Sequence, residues 1–194
     1  MMITDRRRAE RPLLMLATEA AAAGLDDIQV REKDLDGGSL LSLVREIRDA
    51  VRPLGTRVLV NGRPDVALAA GAEGVQLPEE GLGVREVRRF FPTLLIGASR
   101  HSVEGVRSAA DEGADFVVLG PVFATPGKED RVLGPETLRA AADAVRVPVY
   151  AVGGVDLDTA RRAVQAGAGG LAFLRPFLGG QPAETLRALR ASLA

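Results

Sequence analysis

The chain has no cysteine. Disulfides, thiolate metal sites and cysteine nucleophiles are therefore excluded. Histidine is almost as scarce. His101 is the only one in 194 residues, which leaves little room for imidazole acid–base chemistry. No apolar run approaches the roughly 20 residues that a membrane span needs. The opening MMITDRRRAERP contains no apolar core of the secretory kind. Neither charge sign is in excess: 25 Lys and Arg stand against 26 Asp and Glu, a formal net charge of -1. No global positive field favours nucleic acid or an anionic membrane. A cytoplasmic protein is expected, with neither nucleic acid nor membrane among its partners.

What is present is an ordinary globular mixture, 46% apolar and 26% charged. The length fits one domain spanning residues 1–194, large enough to bury its own core. One pattern recurs along it. A short apolar, β-branched run is followed by an Ala/Leu/Arg-rich amphipathic stretch. The strand candidates are Met2–Thr4, Ile28–Arg31, Arg57–Asn61, Gly74–Leu77, Leu94–Ala98, Phe116–Gly120, Val147–Val152 and Gly170–Leu174. Several are apolar throughout, as strands buried on both faces are. The helix candidates between them are Pro12–Ala23, Leu40–Val51, Pro64–Ala70, Val84–Phe91, Val103–Glu112, Pro135–Val145, Leu157–Ala166 and Ala183–Leu193. Ser102 and Asp156 stand at N-cap positions, and Gly24, Gly71, Gly113 and Gly167 stand where helices stop.

Strict βα alternation implies parallel pairing through right-handed crossovers. Eight units predict a closed, single (β/α)8 TIM barrel in a short version, with an open doubly wound sheet as the alternative. The phrases AAGAEGVQL, DEGADFVVL and QAGAGGLAF resemble one another. Each is a helix end, a small-residue corner and a strand, which supports the fold and carries no chemistry.

In such a barrel, function sits at the strand C-termini. Gly153 and Gly154 follow strand 7, and Leu174 and Arg175 follow strand 8. Exposed backbone N–H groups, a following helical turn and a guanidinium suit a phosphate. Alternation predicts Gln29, Arg31 and Lys33 on one side of strand 2, facing a second anion such as pyrophosphate. A local Arg31–Glu32 pair is the bland reading of that segment. Asn61 ends strand 3, in an Asn-Gly turn. Ser99 and His101 follow strand 5, and either belongs to the site or caps a loop. The long loop after strand 6 has the length of a lid or binding loop, with Thr125 and Lys128 as its anion-contacting groups.

Taken together, ITD at 3–5, QVREK, VNGRPDVALAAGAEGVQL, IGASRHS, GADFVVLGPVFATPGK and VPVYAVGGV resemble the thiamin phosphate synthase/TenI superfamily over nearly the whole chain. The resemblance implies the same barrel. Synthases of this kind join a pyrimidine pyrophosphate to a thiazole phosphate with loss of pyrophosphate. By resemblance, Gln29, Arg31 and Lys33 hold the pyrimidine pyrophosphate, assisted by Asn61, Ser99, Thr125 and Lys128. Gly154, Leu174 and Arg175 bind the thiazole phosphate.

The metal half departs from that pattern. Synthases carry Asn-Asp-Arg where this chain has Asn61-Gly62-Arg63. They carry Gly-Gln-Glu-Asp where it has Pro78-Glu79-Glu80-Gly81. Both aspartates that would ligate Mg2+ are glycines, and Mg2+ needs carboxylates together with pyrophosphate oxygens. The motif Thr125-Pro126-Gly127-Lys128 also lacks one hydroxyl. NGR, QLP and RRFFPTLLIGASRHS resemble the TenI branch more closely, which implies a thiazole tautomerase that needs phosphate binding and one acid–base group. TenI-type enzymes place a histidine where this chain has Pro121, which leaves His101 as the catalytic candidate. The expectation is a tautomerase binding a small phosphorylated thiazole, with no metal and no cofactor. A synthase using Mg2+ and a non-catalytic thiazole-phosphate-binding regulatory protein are the alternatives. A homo-oligomer is compatible with the exposed helix faces of a trimmed barrel.

Overall fold

A computed structural model describes residues 1–125 and 129–193. Its strands are β1 (Met2–Ile3), β2 (Asp27–Val30), β3 (Arg57–Asn61), β4 (Gly74–Leu77), β5 (Leu95–Arg100), β6 (Phe116–Leu119), β7 (Val149–Val152) and β8 (Gly170–Ala172). The helices are α1 (Leu13–Ala22), α2 (Gly37–Val51), α3 (Pro64–Ala70), α4 (Val84–Phe90), α5 (Val103–Asp111), α6 (Gly134–Ala144), α7 (Leu157–Gln165), α8 (Arg175–Leu178) and α9 (Pro182–Leu193). All eight strands run parallel in sequence order. Phe173, just past β8, bridges to Met2, and its carbonyl accepts the Ile3 amide at 2.7 Å. The sheet thus closes on itself, as the alternation predicts, and the open-sheet alternative falls.

Most element bounds lie within two residues of expectation. The larger difference is α2, which begins at Gly37 rather than Leu40. Asp36 caps it there, accepting from the Gly38 and Ser39 amides. A cap is polar and leaves no mark in an apolar period. The four-residue α8 is a separate turn after β8.

Alternation along the strands divides the apolar residues into two layers. Val58, Val60, Val75, Ile96, Val117 and Ala151 pack outward against the helices. Ile3, Leu59, Phe116, Val118 and Ala172 fill the barrel interior. Glycine and ring shapes are matched inside. A Cβ on Gly97 would stand 2.3 Å from Phe116 Cζ, and one on Gly170 would stand 2.6 Å from Tyr150 Cε1. The two rings meet at 5.0 Å between centroids.

The repeated corners acquire a physical reason. At the first, Glu73 accepts the Val58 amide at 2.8 Å; at the second, Asp115 accepts the Ile96 amide at 2.7 Å. Each carboxylate satisfies a strand-start donor that the ladder leaves open. The third corner has Gly169 there, where a Cβ would approach Pro148 Cβ to 3.0 Å. Among the described residues, no helix is long and apolar enough to cross a membrane.

Candidate phosphate site at the barrel mouth

The turn after β7 is built from glycine because nothing else fits. Gly153 and Gly154 have φ of 86° and 62°. A Cβ on Gly153 would meet Pro121 Cβ at 2.5 Å, and one on Gly154 the Ala124 carbonyl oxygen at 2.4 Å. The turn therefore lies flat against the segment after β6. That segment is paired to it, with Val122 N–H donating to Val152 O at 2.9 Å and Phe123 N–H to Gly153 O at 3.0 Å. From the other side, α7 holds the turn. Asp156 and Thr159 form a reciprocal capping box, and the Thr159 hydroxyl lies 2.8 Å from the Gly154 carbonyl oxygen. Burial pushes the Asp156 carboxyl up, but bonds from Thr159 and the Asp158 amide outweigh it and hold the group below the usual carboxylate range. Its charge is spent on the helix start. Among the described residues, no backbone carbonyl accepts the amide N–H of Gly154 or of Leu174, which precedes α8.

These groups border a cavity of ≈ 790 Å³. Gly153, Gly154, Leu174, Arg175 and Thr125 line it from β6 to β8, and Asp5, Arg8 and Arg31 continue the lining past the ends of β1 and β2. A smaller space of ≈ 210 Å³ adjoins it, sharing Asp5 and Arg31 and adding Arg7, Glu32, Lys33 and Asp34. The structure thus brings Arg31 and Lys33 together, but by a different route from the expected alternation. β2 ends at Val30, and Lys33 stands in the turn beyond it. Glu32 is buried between them, accepting from the Thr4 hydroxyl at 2.6 Å and from the Arg6 amide and guanidinium. Those partners also overturn the bland Arg31–Glu32 pair. Among the described residues, neither Arg31 nor Arg175 has a carboxylate partner. Lys128 lies outside the described residues.

The remaining candidates lie elsewhere in the mouth. Gln29 is buried on β2, and its Nε2 donates to Asn61 Oδ1 at 2.9 Å. Gln76 is buried on β4, and its Nε2 donates to Ser99 Oγ at 2.9 Å, while its Oε1 has no partner. Four consecutive strands thus set one amide–amide pair and one amide–hydroxyl pair inside the barrel. Gly62 and Gly81 both lie beside Pro78; a Cβ on each would come 3.6 Å and 3.3 Å from its ring. His101 is exposed. Its Nδ1 faces the Gly120 carbonyl, which makes that nitrogen the donor, and its Nε2 stands 3.6 Å from Glu79 Oε2. It lines neither cavity.

The donor set also bears on Mg2+. Among the described residues, no three His, Cys, Asp or Glu side chains gather closely enough to hold a metal ion. Gly62 and Gly81 offer no side-chain ligand, and Glu79 is turned to His101. The residues present do not fit a protein-held Mg2+.

Sequence reasoning passed over Asp5, Arg7 and Arg8. They belong to the loop after β1, and the arginine run read only as a polar N-terminal stretch. The position just past a strand tip was the signal available.

Comparison with known proteins agrees with the fold. Residues 1–177 match the family described as thiamine monophosphate synthase. A putative thiamine-phosphate synthase of Geobacter sulfurreducens is 40% identical, over 99% of this chain and 92% of its own length. A thiamine-phosphate synthase of Methanoculleus marisnigri is 43% identical, over 92% of this chain and 87% of its own. Among solved structures, a thiamine phosphate pyrophosphorylase from Pyrococcus furiosus superposes with a TM-score of 0.91 at 33% identity, over 99% and 93% of the two chains. These relatives carry synthase names, so the expected leaning toward the tautomerase branch gains no support from them. By the family match and these identities, the chain belongs to the thiamine monophosphate synthase family.

Proposed function

We propose that the chain is a thiamine-phosphate synthase. It transfers a pyrimidine methylene group from pyrophosphate to the ring nitrogen of a thiazole phosphate. The C–O bond to pyrophosphate breaks, pyrophosphate keeps the electron pair, and the thiazole nitrogen supplies the pair for the new C–N bond. The observation that carries this reading is the pairing of two adjoining spaces, each bearing basic side chains unpaired among the described residues, that share Arg31 and Asp5. One phosphate-bearing ligand needs one such space; a transfer between two needs both, side by side.

The Gly153–Gly154 turn, the Leu174 amide, Arg175 and Thr125 receive the thiazole phosphate. Arg31 and Lys33 receive the pyrophosphate, with Lys128 as a further cation. Gln29, Asn61 and Ser99 fix the pyrimidine through amide and hydroxyl groups already oriented by their partners. On the protein's side, neutralisation of the departing pyrophosphate falls to the guanidinium and ammonium groups. No step is assigned to Mg2+.

One observation favours a second reading. The missing carboxylates at Gly62 and Gly81 suit a thiazole tautomerase, which needs no metal. His101 lines neither cavity, however, and its Nδ1 is occupied. The deciding experiment supplies purified protein with thiazole phosphate and pyrimidine pyrophosphate, with and without Mg2+, and measures thiamin phosphate and released pyrophosphate. Equal amounts of both are expected. No product under either condition overturns the synthase reading. Aromatisation of carboxythiazole phosphate would then establish the tautomerase, and tight binding without turnover the regulatory alternative.

A further inference from the structure

The sequence DRRR at residues 5–8 places three arginines in a row directly after β1. The structure gives each a different environment. Arg6 is consumed as a staple: its guanidinium binds Asp34 through two bonds of 2.7 and 2.9 Å and reaches Glu32 at 3.2 Å. This fastens the loop to the end of β2, together with the Thr4–Glu32 bond beneath it. Asp5 then orients the other two. One of its carboxylate oxygens accepts the Arg7 amide at 3.3 Å, and the other lies 3.2 Å from Arg8 Nε. Arg7 lines the smaller space and Arg8 the larger one. Both side chains belong to exposed residues, so their charge is available at the mouth.

We propose that this loop is a two-headed anion clamp, in which Arg8 closes over the thiazole phosphate and Arg7 over the pyrophosphate. The proposal rests on the two-anion reading above and adds the groups that reach each anion from outside the barrel. A guanidinium presents a planar fork of donors matched to phosphate oxygens. Asp5 holds Arg8 in position before the ligand arrives, and phosphate then becomes its partner. Arg6 keeps the two heads in register by fixing the base of the loop. Two neighbouring side chains of one turn thus tell the two anions apart by direction.

Titration calorimetry of the full chain tests this with two probes, thiazole phosphate and inorganic pyrophosphate. Arg8→Gln is expected to weaken thiazole phosphate by about tenfold and to leave pyrophosphate within about twofold, the size of one charged hydrogen bond. Arg7→Gln is expected to do the reverse. Both positions are exposed, and a thermal melt matching wild type confirms that the fold is retained. Equal effects on both probes, or none, with the wild type binding both, overturn the two-headed assignment and leave the proposed function standing. A wild type that binds neither probe overturns the function and the clamp together.

Discussion

The two halves of the barrel mouth are made differently. The β7–β8 half is made of backbone: glycines held at positive φ, amides left open, and a turn wedged between the segment after β6 and the start of α7. The β3–β4 half is made of side chains, and there two glycines stand where a synthase would carry carboxylates. Glycine therefore differs in the room it leaves: Gly62 shares the positive φ of Gly154, at 67°, but not its crowding. At Gly154 a Cβ has no room, since the Ala124 carbonyl oxygen would lie 2.4 Å away. At Gly62 and Gly81 a Cβ would meet only Pro78, at 3.6 and 3.3 Å. The first pair of glycines builds a site, and the second leaves one unbuilt.

The largest effect is expected where glycine is required. Gly154→Ala places a methyl against backbone atoms and forces φ near 62° on a residue that resists it. Displacing that turn costs about 3 kcal/mol, and at about 1.4 kcal/mol per tenfold, thiazole phosphate binding should fall by roughly 100-fold. Calorimetry reads this directly. Binding within threefold of wild type would show that the turn is not the phosphate cradle.

The next effect is a gain. Gly62→Asp with Gly81→Asp introduces two carboxylates where the walls leave space, and aspartate is among the few residues that visit the left-handed φ of 67° found at Gly62. Inorganic pyrophosphate should then bind about tenfold more tightly with Mg2+ than without, since hard cations recruit carboxylate and phosphate oxygens together. In the wild type the same comparison should change affinity by less than about threefold, because only the anion itself supplies oxygens. A tenfold Mg2+ effect in the wild type would mean that Glu79 or Glu80 takes over as ligand.

The clamp side of the mouth has its own pH signature. The Arg6 guanidinium, bonded to Asp34, holds that carboxyl below the usual range. A lowered carboxyl contributes stability above its unfolded value, about 4, and loses it as pH falls through the folded one. Asp34→Asn should therefore melt below wild type at pH 7, with the gap narrowing progressively as pH falls below about 4. A gap that does not narrow as pH falls below about 4 would assign Asp34 a role other than pairing.

Much of this was legible in the sequence, for identifiable reasons. Apolar strands and helix-ending glycines report directly on burial and backbone conformation, so the barrel and the turn at Gly153 and Gly154 could be read in advance. Side-chain direction beyond a strand end could not. Alternation holds for Gln29, but β2 stops at Val30, so it reaches neither Arg31 nor Lys33, and Glu32 between them is buried. The Asp36 cap and the Thr4–Glu32–Arg6 staple join residues through polar contacts that leave no period. The separate fates of Arg6, Arg7 and Arg8 depend on such contacts, and three identical letters cannot announce them.

The smallest effect is expected at His101, the residue that composition alone singled out. Its Nδ1 donates to the Gly120 carbonyl, so any proton shuttling would have to use Nε2, which points at Glu79 from 3.6 Å. Both partners are substantially exposed, at 59% and 40% of the side chain, and such pairs are worth about 0–1 kcal/mol. His101→Ala should therefore change thiamin phosphate formation and thiazole phosphate binding by no more than about twofold, an energy below 1 kcal/mol. A tenfold fall in turnover with unchanged binding and an intact melt would reverse this. It would place an acid–base group at the β5–β6 edge of the mouth and return the chemistry to the tautomerase reading, in which one proton-moving group suffices and the empty β3–β4 half needs no carboxylates at all.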